Sequence, residues 1–256
     1  MIVNPVGVLS LSKREIVRFM SVMGQTVFPP LVTSVLFMYI FGVAIGSRID
    51  FSSTGLSYLN FIVPGLMTMH LISSSYENTS FSLFIGRWHN HIQEILLSPL
   101  SYFEMVLGLL AGGVARGAIV SVGVFVASLF FVHSPIHHFI WLVYFILTIS
   151  IIFSCAGMMA ALWAEDFGML SVWNIYLILP LVFMGGVFHP LSLLPKVVQD
   201  LSRFNPMFYL VQGIRYSVTG ISDVSVYVCA LTTMVMSICF FFFTVHLFKI
   251  GYKLRT

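Results

Sequence analysis

Apolar residues run along this chain in stretches long enough to cross a bilayer, separated by short polar breaks. About 20 helical residues cover the roughly 30 Å of hydrocarbon in a membrane. Six stretches meet that length or approach it: Pro30–Gly46, Tyr58–Tyr76, one within Met105–Val132, Phe139–Ala164, Gly168–Phe188 and Val224–Phe248. The first is the shortest and borrows Val27 and Phe28. Ahead of them, Leu9, Ile16, Met20, Met23 and Val27 recur at helical gaps, with Arg14, Arg18, Ser21 and Gln25 on the opposite side. That pattern predicts an amphipathic helix over 9–27 with a basic face. Such a helix lies in the headgroup plane of an anionic membrane surface.

Two of the polar breaks are substantial. Residues 77–104 hold the run GRWHNHIQEILLSPLS at Gly86–Ser101. It reads as a short helix ending at Leu97 and stopped by Pro99. Ile92, Ile95 and Leu96 make an apolar ridge beside one exposed acid, Glu94, which is a shape suited to docking into another protein. Residues 189–223 carry Pro190, Pro195 and Pro206 just after Pro180. This segment is too apolar for a soluble loop and too broken for one span, and it reads as short helices dipping into the outer leaflet. The predicted fold class is therefore an all-α polytopic membrane protein, with residues 1–256 forming one transmembrane domain.

Composition narrows the classes. Apolar residues make up 59% of the 256 and charged residues only 8%; a soluble protein carries about 25% charged residues. So little charge cannot cover so much apolar surface in water, which excludes a soluble enzyme, a disordered chain and a nucleic-acid-binding protein. The three cysteines, Cys155, Cys229 and Cys239, all fall in apolar runs and read as packing residues. Charge placement sets orientation. With the N-terminus inside, Lys13, Arg14, Arg18, Arg87, Lys249, Lys253 and Arg255 are cytoplasmic, whereas Arg48, Lys196, Arg203 and Arg215 are outside. Two basic tails require an even number of spans, and six fits.

Candidate chemistry is sparse. No lysine follows a glycine, so there is no phosphate loop of the Walker A type. No GxSxG or HExxH run occurs. His133, His137 and His138 cluster, but Pro135 interrupts them and no carboxylate lies in the turn, so no metal site is expected. Arg116, inside the third span, sits in Gly112-Gly113-Val114-Ala115-Arg116-Gly117. A charge at that depth must face protein or water, and the glycines let a neighbouring helix come close. Two readings stay open for it: a polar element of a passage, or a structural ion pair or snorkelling arginine. Glu77 and Glu104, near inner span ends, are its candidate partners.

These residues carry a family resemblance over nearly the whole chain. Asn60-Phe61-Ile62-Val63-Pro64-Gly65 opens the second span, and Glu94-Ile95-Leu96-Leu97-Ser98-Pro99-Leu100 is similar to an E-x-L-L-x-[ST]-P element. Gly185-Gly186-Val187-Phe188, Leu194-Pro195 and Asn205-Pro206, ending at Arg215, are similar to a signature after the fifth span. Together they resemble an ABC-2 type transporter permease of the small bacterial six-span group.

The resemblance implies an exporter subunit in the bacterial inner membrane, paired as a homodimer and surrounded by lipid. ATP and Mg would be bound by a separate ABC ATPase, with no cofactor on this chain. Residues 86–98 would be a coupling helix, with Arg87, Ile92, Glu94, Ile95 and Leu96 meeting that ATPase. The cargo would be lipid-like, drug-like or a glycan, and would pass along the dimer axis past the first, second and fifth spans. Gly185, Gly186, Pro195, Asn205, Pro206 and Arg215 would shape the outer re-entrant segment. His189-Pro190 departs from many relatives there. The alternatives are a membrane enzyme using His133, His137 and His138, and a non-transporting scaffold.

Overall fold

The computed structural model describes residues 4–45, 57–132, 135–191 and 195–254. Among these, the elements are helices: α1 (Pro5–Ser21), α2 (Met23–Thr26), α3 (Phe28–Phe37) running on into a π-helical stretch at Met38–Ile45, α4 (Tyr58–Trp88), α5 (Ile92–Leu97), α6 (Tyr102–Ser128) and α7 (Phe139–Trp163). Then follow α8 (Phe167–Val172), a π-helical stretch at Trp173–Ile178, α9 (Leu179–Met184), α10 (Lys196–Phe204), α11 (Pro206–Thr219) and α12 (Val226–Ile250).

Local chemistry sets many of the boundaries. Asn4 caps α1, its side chain accepting from the Gly7 amide at 3.0 Å, and Pro5 opens the first turn. Ser101 and Glu104 form a reciprocal capping box at the start of α6. Gly220 and Gly251 end α11 and α12 with φ of 75° and 70°, the left-handed conformation that costs glycine least. The helix expected over 9–27 is broken at Val22: α1 ends at Ser21, and Met23 begins the first apolar helix instead. Pro29 and Pro30 have no amide to offer the Gln25 and Thr26 carbonyls, which interrupts the apolar helix again between α2 and α3.

Among the described residues, five helices are long and apolar enough to cross a membrane: Met23–Gly42, Tyr102–Ser128, Phe139–Trp163, Phe167–Met184 and Val226–Ile250. The stretch expected at Tyr58–Tyr76 lies in α4, which is 31 residues long and not among the five. Asn60, Thr68, His70, Ser73, Ser74, Ser75, Glu77, Asn78, Thr79 and Ser80 make it too polar. Its neighbours hide that polarity. α4 packs chiefly against α6 and α7 and is the most buried of the long helices.

The contacts around α4 depend on glycine. A Cβ on Gly113 would stand 2.2 Å from the Ser154 hydroxyl, one on Gly117 would stand 2.1 Å from the Ser75 hydroxyl, and one on Gly157 would stand 2.3 Å from the Tyr76 carbonyl. Three backbones thus meet through small residues, as membrane helices do when lipid offers them no hydrophobic drive to associate. α1 lies along α6 in the same way, with Leu11 over Gly108 and Glu15 over Gly112. One apolar cluster, containing Phe61, Phe145, Ile214 and Val218, occupies the end near α11. A second, containing Leu11, Ile92, Ile95 and Leu254, occupies the end near α5.

Candidate functional site

α5 connects α4 to α6 through the tight turn at His89–His91, where Asn90 takes a positive φ of 60°. The apolar ridge predicted for docking faces the other way. Ile92 and Ile95 are buried in the chain's own cluster with Leu11, Met105 and Leu254, and Leu96 packs against that cluster. A six-residue helix at the end of a bundle must bury its ridge to hold its place, so these three residues anchor α5 and do not present it. The outward face is Gln93, Glu94 and Leu97, with Leu97 87% exposed. His91 Nδ1 stands 3.5 Å from the Glu94 carboxylate. Arg87 is also turned inward. It donates to the last carbonyls of α7, Ala161, Leu162 and Ala164, where the partial negative charge of a helix end collects.

A chain of charged and amide groups links four elements. Glu15 of α1 is fully buried and accepts from Arg14 at 2.9 Å, from Arg18 at 3.1 and 3.2 Å and from the Ser82 hydroxyl at 2.6 Å. Arg18 also donates to the Asn78 backbone and side-chain oxygens at 3.2 and 3.3 Å. One residue before Asn78, Glu77 accepts from Arg116 of α6 at 3.0 Å and from the Asn174 amide of the Trp173–Ile178 stretch at 3.4 Å. The Arg116 partner is therefore Glu77. Glu104, the other candidate, is buried but turned elsewhere: it is held by Ser101 in the capping box and accepts from the Asn4 amide at 2.5 Å. Its position three residues into α6 gives its carboxylate local amides to cap, which a carboxylate aimed at Arg116 would forgo.

At the opposite end, Arg215 of α11 is 2% exposed. It donates to the Gly186 carbonyl at 2.6 Å and lies 3.8 Å over the Phe61 ring. Gly185 ends α9 and Gly186 turns the chain with φ 81°, which brings Val187 so close that a Cβ on Gly65 would stand 2.6 Å from its carbonyl. Pro195 caps α10. Asn205 caps α11 by accepting from Met207 and also donates to the Leu181 carbonyl at 2.6 Å, with Pro206 in the first turn. The segment expected at 189–223 thus holds two short helices, α10 and α11. Burial, and then the charge of Arg215, hold the His189 imidazole below its ordinary pKa.

His137 and His138 serve the packing of the loop before α7. The His137 ring nitrogen lies 2.9 Å from the Val218 carbonyl, and His138 stacks on Tyr216 with centroids 4.8 Å apart. His133, Arg48, Leu194 and Arg255, together with Gly46, lie outside the described residues. The sequence reading did not single out Glu15, Asn78, Ser82 or Asn174. Glu15 carried a signal, as the one acid within the basic helix. Asn174 was the one amide of an apolar span.

A family described as ABC-2 type transporter matches residues 7–219. The chain is similar to the inner membrane transport permease YadH of Escherichia coli strain K12, at 36% identity over 98% of each chain. More distantly it is similar to nodulation protein J of Rhizobium leguminosarum bv. trifolii, at 24% identity over 76% of each chain. Nodulation protein J of Azorhizobium caulinodans is 21% identical over 75% of this chain and 76% of its own. The family match spans the buried Glu15, the Glu77–Arg116 pair, α5 and the Arg215 clamp alike, and on it the chain belongs to the ABC-2 type transporter family.

Proposed function

We propose that the chain is the membrane-embedded permease subunit of an ABC exporter, working in an inner membrane as its relative YadH is named to do. A separate ATPase binds ATP and Mg, and two permease copies form the passage. α4 serves as a sixth span, its polar residues covered by α6 and α7. Both ends of the chain are cytoplasmic. In support, the Asn4 amide meets Glu104, Lys253 meets Glu165 at 3.0 Å and Leu254 packs with Ile92, so both ends and α5 share one end of the bundle. α10 and α11 form the outer re-entrant segment. The cargo is lipid-like, drug-like or a glycan.

The observation that carries this reading is α5: an anchored helix whose outward residues, Gln93, Glu94 and Leu97, are exposed. Closure of the ATPases on ATP pushes on that face. Because Ile92, Ile95 and Arg87 fasten it to α6, α7 and the C-terminal tail, the push moves the helices as bodies and does not bend a loop. The test is a pull-down of the solubilised protein, wild type beside Glu94→Arg and Leu97→Asp, with ATPase activity assayed in the eluate. The expected result is an ATPase that accompanies wild type and is lost or uncoupled in both variants. A wild type that brings down no ATPase in several mild detergents overturns the assignment.

A further inference from the structure

A cavity of about 470 Å³ lies between α7, α12 and the helix Phe167–Met184. That helix is held at its two ends, where α8 packs against α4 and α7 and α9 packs against α11. Between them, the π-helical stretch Trp173–Ile178 finds its main contacts within its own helix and stands across the cavity from α7 and α12. Leu177 on one wall and Phe243 on another are both exposed, so the cavity opens sideways, where a membrane-embedded chain meets hydrocarbon.

Chemistry and shape limit what it takes. Inside the rim the lining is aliphatic, aromatic and thioether, and the Tyr76 hydroxyl there donates to the Leu170 carbonyl at 2.9 Å. Water in such a space lacks the two to four polar partners it needs, whereas hydrocarbon needs none. The lining runs from Ile152 to Trp163 on α7 and from Met236 to Leu247 on α12, about 16 Å at 1.5 Å per residue on each. That is the depth of one leaflet, half of a hydrocarbon core of roughly 30 Å. One end is marked by Trp163 and Trp173, whose rings meet edge to face at 5.6 Å, and by Tyr252. Trp and Tyr collect where hydrocarbon meets headgroups, and Glu165 and Asp166 follow directly after α7. The cavity thus begins at that interface and reaches inward for one leaflet. At its mouth Lys253 is paired with Glu165 at 3.0 Å, so no net charge there selects a headgroup.

We propose that this cavity holds one acyl chain of a bilayer phospholipid, with the headgroup left outside the aromatic rim. The chain acts as a wedge that sets the distance of Trp173–Ile178 from α7 and α12. Because the headgroup cannot enter, the lipid cannot cross the protein by this route. It is a resident ligand, distinct from the cargo, and the site requires a bilayer and no ATPase.

Native mass spectrometry of the full chain, released from nanodiscs of phosphatidylcholine, phosphatidylethanolamine or phosphatidylglycerol, reads what stays bound. One retained phospholipid per protomer is expected with all three. Ala156→Phe, which fills the cavity from the α7 wall, should cut the retained fraction about tenfold. Phe243→Ala, at the exposed mouth, gives an independent reading should Ala156→Phe fail to fold, and should cut it about threefold. Returning phosphatidylcholine to delipidated protein should raise the thermal midpoint of wild type more than that of Ala156→Phe. No retained phospholipid, retention of one headgroup class alone, a free fatty acid in its place, retention unchanged in a folded variant, or an equal thermal gain in both proteins would overturn the site. A failed ATPase pull-down would sink the permease reading and leave this site standing.

Discussion

Glu15 is a carboxylate with no exposed surface, held by two arginines and a hydroxyl. Removing it takes the acceptor from the Ser82 hydroxyl and leaves Arg18 only the Asn78 oxygens, which costs more than the carboxylate was worth when paired. Glu15→Ala should lower stability by about 1–3 kcal/mol, read as a drop in the thermal midpoint of the detergent-solubilised protein. Glu15→Gln, which keeps one oxygen for Ser82, should lower it less. The Glu77–Arg116 pair follows the same logic with a different outcome for the double change. Glu77→Met strands the buried Arg116 and Arg116→Met strands the half-buried Glu77, whereas the double variant strands neither. It should therefore recover part of the loss, giving a coupling of about 0.5–3 kcal/mol in a double-mutant cycle. A strictly additive cycle would mean that the two groups do not depend on one another.

At the level of elements, the glycines decide how closely helices approach. Gly157→Ala drives a methyl against the Tyr76 carbonyl, a backbone atom that cannot step aside. It should cost about 1–3 kcal/mol, as overpacked cores do. Gly24→Ala, at a position with open space around the new methyl, is the matching control and should leave the thermal midpoint unchanged. α5 divides the same way. Ile95→Asp should unfold the end of the bundle near α5, seen as loss of a monodisperse elution peak, while Leu97→Asp should leave that peak intact and remove only partner binding. The difference arises because Ile95 is buried and Leu97 is 87% exposed. The sequence showed the ridge of Ile92, Ile95 and Leu96 plainly, since spacing fixes which residues share a face. It could not show which way that face turns, because the answer lies in Leu11 and Leu254, more than 80 residues away on either side.

For the whole molecule, the proposed orientation puts α5 on the cytoplasmic side and the loop before α12 outside. In a background with Cys155, Cys229 and Cys239 replaced, Ser222→Cys should react with a membrane-impermeant maleimide in intact cells. Gln93→Cys should react only after the inner membrane is opened. The reverse pattern would invert the topology and remove the coupling role of α5 with it.

By itself, the sequence determined the membrane class, the positions of five long apolar helices, the short helix between α4 and α6, and the punctuation by Asn205-Pro206 and Gly185-Gly186. Each of these is local: hydrophobic length, period and backbone preference act within a few turns of chain. Only the tertiary structure decided that polar α4 is covered by α6 and α7, that Arg116 meets Glu77 while Glu104 caps its own helix, and that Arg87 and the α5 ridge turn inward. It also revealed Glu15 and Asn174. These are pairings between residues far apart in the chain, chosen by which buried polar group finds a partner across a glycine-lined contact, and no spacing along one segment encodes that choice.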